Sequence, residues 1–312
     1  MLRYTLKRLF MMVLTVWIIA TLTFILMMSL PGSPFNDMSE RTTSEAVQAN
    51  LERHYNLDKP KIVQYLIYLK SIATFDFGPS IKKPNDTVND LIGRGFPISA
   101  ELGIVALTVA VISGILLGIF AALKHNGVID YMAMTFAVLG ISIPNFVLAT
   151  LLIQQLAVNW GIFPVATWES PMHMVLPTIA LATGPMAIIA RLTRSSMLEV
   201  LTQDYIKMAK AKGLSPFKII FKHAIKNALM PVVTILGTMI AGILTGTFVI
   251  ERIFAIPGMG QYFVNSINER DYPVIMGVTV FYSMFLVIML FIVDIAYGIL
   301  DPRIKIHKEA GK

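Results

Sequence analysis

Apolar residues along the chain gather into long runs, and polar residues collect between them. The first run, residues 9–30, follows Arg3, Lys7 and Arg8. Its 22 residues rise about 33 Å as a helix, enough to cross a hydrocarbon core. A cleaved signal peptide has an apolar region of about 7–15 residues ending in small side chains. This run is longer and stops at Pro31-Gly32-Ser33-Pro34, so it is read as a retained span. Five further runs predict helices over 98–123, 131–158, 175–190, 228–250 and 274–300; the fourth is shortest and contains Gly184-Pro185. The expected fold is an all-α polytopic membrane protein of six transmembrane helices with both termini on one side.

Composition agrees with the pattern. Of 312 residues, 55% are hydrophobic and 14% charged, about half the charge of a soluble domain, and the mean hydropathy is +0.68. A cytosolic enzyme is excluded on those grounds. The net charge of +7 is explained by where the charges fall. Residues 191–226 carry Arg191, Arg194, Lys207, Lys210, Lys212, Lys218, Lys222 and Lys226 against Glu199 and Asp204. The tail after 300 is also basic, whereas 159–174 has Glu169 and no Lys or Arg, and 251–271 has two basic residues against three acids. By the positive-inside rule, both termini and the 191–226 loop are expected in the cytoplasm and residues 32–97 outside.

The 66-residue segment 32–97 is too long to be structureless. Thr42 with Glu45 resembles a capping box, Val47, Leu51 and Tyr55 recur at helical spacing, Asp58-Lys59-Pro60 breaks the helix, and 62–72 forms a second amphipathic piece before a turn at 76–80. It serves either as a platform for a partner or as a passive cap. In the cytoplasmic loop Asp204 suits a helix cap and Gly213 a left-handed end. The helix between, 205–212, spans about two turns and is too short to be stable alone, with Tyr205, Met208 and Ala209 on one face. Ser215 and Pro216 open a second helix whose Lys218, Lys222 and Lys226 form a basic stripe opposite Phe217, Phe221, Ala224 and Ile225, ending where Pro231 turns the chain into the membrane. The loop either docks into a partner's groove or lies at the interface obeying the charge rule.

Catalytic motifs are absent from the sequence. It contains no phosphate-binding Gly-x-x-x-x-Gly-Lys-[Ser/Thr], His-Glu-x-x-His, Gly-x-Ser-x-Gly or Gly-x-Gly-x-x-Gly. The near match Gly258-Met259-Gly260 is read as a turn. There is no cysteine, and the five histidines form no ligand-spaced pair, so no metal or cofactor site is expected. Glu101 and Asp294 lie within predicted spans, where acids merit inspection, but no dense polar pathway accompanies them. The residues alone describe a six-span membrane protein with an external domain, a docking-prone basic loop and no energy source.

A series of short motifs then carries a resemblance: Pro31-Gly32-Ser33-Pro34; Tyr55-Asn56-Leu57-Asp58-Lys59-Pro60; Asp76-Phe77-Gly78-Pro79-Ser80; Ser142-Ile143-Pro144-Asn145-Phe146; Leu176-Pro177; Arg191-Leu192-Thr193-Arg194-Ser195-Ser196; Asp204-Tyr205 through Lys212-Gly213-Leu214; Phe254-Ala255-Ile256-Pro257-Gly258-Met259-Gly260; and Leu300-Asp301-Pro302-Arg303. In this order and spacing, from the amino terminus to about residue 306, the chain resembles permease subunits of binding-protein-dependent ABC importers, in particular the first permease of the oligopeptide/dipeptide type. The resemblance implies a first span over 1–31, an extracytoplasmic loop domain over 32–97, a permease core over 98–306 with a coupling loop at about 191–227, and a tail over 307–312. It assigns contact with an ATPase subunit to Asp204, Tyr205, Met208, Ala209, Ala211, Gly213, Leu214 and Ser215. Gly213→Pro or Ala209→Arg is then expected to abolish transport with the spans inserted. The broad family pattern has Glu-Ala-Ala before the glycine and Leu-Pro beyond it; here Lys207-Met208-Ala209 and Ile225-Lys226 stand instead, as in the peptide branch. The implied partners are a second permease, two ATP-binding subunits that hold ATP and Mg, and a peptide-binding protein. The alternatives are a permease for nickel or another small solute, and a stand-alone carrier.

Overall fold

The computed structural model describes residues 2–29 and 45–300; the capping box at Thr42, the turn at 31–34 and the tail after 300 lie outside them. Among the described residues the architecture is helical, the sole β feature being an isolated antiparallel bridge between Pro79 and Thr87. In order the helices are α1 Leu2–Ser29, α2 Glu45–His54, α3 Lys61–Thr74, α4 Val88–Leu123, α5 Val128–Ser142, α6 Asn145–Leu152, α7 Pro171–Thr202, α8 Asp204–Ala211, α9 Pro216–Ala228, α10 Met230–Ile253, α11 Met259–Glu269 and α12 Tyr272–Leu300.

Four of them, α1, α4, α7 and α12, are long and apolar enough to cross a membrane; two bent pairs bring the total to as many as six if each is one span. The run expected as one helix over 131–158 is broken at Ile143-Pro144. α5 and the helical segment Asn145–Asn159, whose second half is a π-helix, meet at 105°. Pro144 has no N–H to continue the α5 ladder and starts α6 instead. α9 and α10 meet at 48°, with Pro231 in the first turn of α10. Pro177 and Pro185 do not interrupt α7, the most buried of the four long helices, where packed neighbours tolerate the lost hydrogen bonds. α4 has 36 residues, about 54 Å, so it begins ten residues before the predicted span and keeps Pro97 inside. α7 likewise runs past residue 190, carrying Arg191 and Arg194 on a helix rather than in a loop. The expected turn at Gly258-Met259-Gly260 is a helix start: extended Gly258 precedes α11.

The chain divides into two compact units, one of residues 1–98 with 257–312, the other of 99–256. In the first, Phe24 of α1 packs on Tyr65 and Tyr68 of α3, with ring centroids 5.3 and 5.9 Å apart, and the Thr21 and Tyr65 hydroxyls lie 2.7 Å apart. Buried Asp271, between α11 and α12, accepts hydrogen bonds from the Ser80 hydroxyl and, at 3.2 Å each, from the Ile81 and Lys82 amides. The Tyr55 hydroxyl donates to the Ser80 carbonyl at 2.9 Å. One carboxylate thus ties the 76–87 turn to the start of α12. Burial, then the Asp271 carboxylate, pushes the Tyr55 phenol pKa up.

In the second unit α4 presents Leu102, Ala106, Ala110, Gly114, Gly118 and Ala122, each buried, at strict four-residue spacing. A Cβ at Gly114 would stand 2.7 Å from the Met186 carbonyl oxygen, and one at Gly118 2.5 Å from that of Ala190. On α5, a Cβ at Gly140 would meet the Thr183 side chain at 2.9 Å. Small residues let α4 and α5 approach α7 at backbone distance, the contact that holds helices together where lipid competes for every apolar face.

Candidate functional site

The loop singled out by charge forms two helices seated on one apolar cluster. α8 is amphipathic and eight residues long, too short to persist unaided. It is held by Ile206 and Ala209, which are buried with Ala122 of α4, Met197 of α7, and Ile219, Ala224 and Ala228 of α9. Gln203, not Asp204, is the residue before the first turn, and it makes no side-chain cap. Asp204 is the first helical residue and pairs with Lys207 at 2.9 Å. Gly213 ends the helix with φ +74°, its amide and that of Leu214 closing on the Lys210 and Ala209 carbonyls at 2.9 and 3.3 Å. Ser215 caps α9, accepting from the Lys218 amide at 3.4 Å, with Pro216 in the first turn.

Of the eight residues expected to meet a partner, Asp204, Tyr205, Met208, Ala211, Gly213 and Ser215 are exposed, Leu214 is half-buried, and Ala209 is buried. The shared face of Tyr205, Met208 and Ala209 is therefore split: Met208 is 59% exposed while Ala209 faces the cluster at 7%. The α9 faces also differ from expectation. Its middle, residues 219–224, is π-helical, which turns Phe217 and Phe221 outward, their centroids 4.3 Å apart, and points Ile219 and Ala224 inward. The Asn227 amide nitrogen donates to the Tyr205 hydroxyl at 2.8 Å, linking α9 to α8.

Beside this cluster lies a charged lock that sequence reasoning missed. Asp130, 2% exposed in the first turn of α5, accepts both prongs of the Arg194 guanidinium, from Nε at 2.5 Å and Nη2 at 2.7 Å. It also accepts from the Asn126 amide at 3.0 Å, and His125 Nδ1 lies 3.3 Å away. The fork fixes the α4–α5 turn to α7 one helical turn before Met197 enters the cluster. A bidentate pair of this kind specifies geometry as well as adding attraction. The sequence signal was an aspartate at the head of an apolar run, 64 residues from its arginine. Glu101 is exposed on α4 within this chain. A cavity of about 240 Å³ lies between the break at Pro144 and the Gly184-Pro185 step of α7.

Residues 114–306 match the model of the binding-protein-dependent transport system inner membrane component, and residues 1–102 match the N-terminal model of the same systems. The chain belongs to this permease family. The permease is 71% identical over 309 residues to the dipeptide transport system permease protein DppB of Bacillus subtilis, covering 99% of this chain and 100% of that one. It is 44% identical to the oligopeptide transport system permease protein OppB of Haemophilus influenzae, with coverage of 98% and 100%. Among solved structures, an inward-facing MetNI methionine ABC transporter aligns with a TM-score of 0.53 at 20% identity, over 66% of the permease and 92% of that chain. An amino acid ABC transporter aligns with a TM-score of 0.52 at 18% identity, over 68% and 95%. Those two likenesses concern the fold alone.

Proposed function

We propose that this permease forms half of the translocation pathway of an ATP-driven importer of dipeptides or short oligopeptides. The observation that carries the cargo class is the 71% identity, end to end, with a dipeptide transport permease. In this reading the chain lies in the bacterial plasma membrane with both termini and α8–α9 in the cytoplasm and residues 32–97 outside. A second permease completes the pathway, two ATP-binding subunits supply hydrolysis, and an external binding protein delivers peptide. The chain itself is a transport subunit and holds no cofactor.

The α8 geometry supports a coupling role. Its outer side, Asp204, Tyr205, Met208, Ala211 and Gly213, is free for an ATP-binding subunit, with Leu214 and Ser215 at its edge. Its inner side is keyed by Ile206 and Ala209 into α4, α7 and α9. Because packed interiors transmit displacement rather than absorb it, a push on the outer side moves the ends of α4 and α7. Ala209 acts in the seat, so Ala209→Arg would unseat α8 rather than test docking; the informative substitution is at Met208. The experiment is coexpression with the second permease and the ATP-binding subunits, followed by purification and ATPase assay with peptide-loaded binding protein. A four-subunit assembly stimulated by loaded binding protein is expected, with Met208→Glu leaving the chain folded and lowering stimulation at least about tenfold, as for a contact residue at an interface centre. A chain that purifies alone and moves solute without ATP would overturn the proposal.

A further inference from the structure

Within the first unit, α3 packs against α1 well short of the end of that helix. The Tyr65 hydroxyl meets the Thr21 hydroxyl at 2.7 Å, and the rings of Tyr65 and Tyr68 lie 5.3 and 5.9 Å from that of Phe24. Thr21 stands eight residues before Ser29, about 12 Å along the axis. Charge bounds where hydrocarbon can lie on α1: its candidate span begins at Thr5, and Arg8 is its last charged residue. A hydrocarbon core about 30 Å thick takes about 20 helical residues. Counted from Thr5 it ends near Phe24, and counted from the residue after Arg8 it ends near Met28. Thr21 is inside hydrocarbon on either count. A tyrosine side chain cannot carry its phenol far from its helix, so α3 lies at the membrane boundary and not on a platform above it.

We infer that α3 is an in-plane helix of the leaflet that α1 leaves at Ser29, held to α1 by Tyr65 and Tyr68, with Ile62 and Leu66 in contact with acyl chains. These two aliphatic residues flank Tyr65 and stand four apart, hence on one side of the helix; they are 64% and 58% exposed. Helices that lie in an interface bind through apolar area of this kind. The exposed charges fit the placement without selecting a headgroup. Lys59, Lys61 and Lys70, whose stems can reach the phosphate level, are interspersed with Asp58 and Asp76. The depth of Thr21 disfavours a water-soluble partner on this face. α2, with Glu45, Glu52, Arg53 and His54, is the helix of the loop suited to water. The inference needs only that α1 crosses the bilayer, and it depends neither on the cargo proposed above nor on which side the loop faces.

The chain has no cysteine, so single thiols can be placed at will. Ile62→Cys, Leu66→Cys and, as a control on exposed α2, Asn50→Cys are each assembled with cysteine-free partner subunits in vesicles of phosphatidylethanolamine and phosphatidylglycerol. Each thiol is given a nitroxide spin label, and its collisions with oxygen, which concentrates in hydrocarbon, are compared with those of a water-soluble nickel chelate. Oxygen should dominate at 62 and 66 and the chelate at 50. In unlabelled samples a charged, membrane-impermeant thiol reagent should modify position 50 and spare the other two. All three substitutions replace exposed side chains, so assembly is kept. Dominance of the chelate at 62 and 66, or ready modification there, would overturn the inference and return α3 to water. Protection of both positions from oxygen and chelate alike would also overturn it and assign the face to a neighbouring protein, such as the second permease.

Discussion

The approach of α4 to α7 makes a quantitative test of the packing. At Gly118 an added Cβ would lie 2.5 Å from the Ala190 carbonyl oxygen, 2.6 Å from Thr193 Cβ and 3.0 Å from Thr193 Cγ2. The first neighbour is backbone in the middle of a buried helix and has no rotamer to change. Relief therefore requires the two helices to move apart by most of an ångström, which loosens contacts along the whole stripe. Overpacking of one methyl into a tight core costs about 1–3 kcal/mol, and a backbone obstacle puts Gly118→Ala at the upper end. Gly93, also on α4, has nothing within 4 Å of its would-be Cβ. Gly93→Ala then gains only helix propensity, up to about 1 kcal/mol. Two substitutions that look alike on paper should thus move stability in opposite directions, by about 3 kcal/mol or more between them. The assay is the midpoint of thermal inactivation of the detergent-purified protein, read by the loss of monodisperse material. Equal midpoints for Gly118→Ala and Gly93→Ala would refute the idea that α4 and α7 meet at backbone distance.

Two further outcomes are expected. Asp130→Ala removes the buried carboxylate from a guanidinium that is itself 24% exposed and should destabilise by about 1.5–3 kcal/mol, as for lost hydrogen bonds between charged groups; Arg194→Lys, which keeps the charge but loses the fork, should cost less in the same thermal assay. Tyr55, with a phenol pKa raised in the folded state, binds its proton more tightly folded than unfolded. Stability from this group is complete below the unfolded value near 10 and declines as pH rises beyond it. Tyr55→Phe should flatten that decline in thermal melts taken between neutral and strongly alkaline pH, and an unchanged slope would exclude the phenol as its source.

What could be read from the sequence was set by local physics. The apolar runs behind α1, α4, α7, α10 and α12 declare themselves because exposing them to water is prohibitive, and Gly213 and Ser215-Pro216 punctuate the α8–α9 segment through rules that act over a few residues. Pro144 interrupts the run read as one helix over 131–158; its missing N–H accounts for a break there, but nothing in the neighbouring residues sets the 105° angle. The inward turn of Ala209 had no local signature: on an eight-residue helix, Met208 and Ala209 compete for the same side until Met197 and Ile219 supply the cluster that decides. The four-residue alternation from Leu102 to Ala122 was visible in the letters, yet hydrophobic periodicity overlooks it because alanine and glycine contribute little apolar area. The locks at Asp130 and Asp271 join residues 64 and about 190 positions apart, so no window along the chain contains both halves.

That separation has a temporal side. Chains are made at about 5–20 residues per second, so Arg194 leaves the ribosome some 3–13 seconds after Asp130, which stands 64 residues earlier. During that interval the acid at the head of α5 has no guanidinium to receive it. The first half of the second unit must therefore enter the bilayer in a provisional arrangement, with α5 held by its turn and free to shift. The arrival of α7, with the arginine and the groove for the α4 glycines on one helix, converts that arrangement into the final one. Assembly of this region is thus ordered by synthesis, and α7 is the element whose delay or truncation would leave the earlier helices inserted but unset.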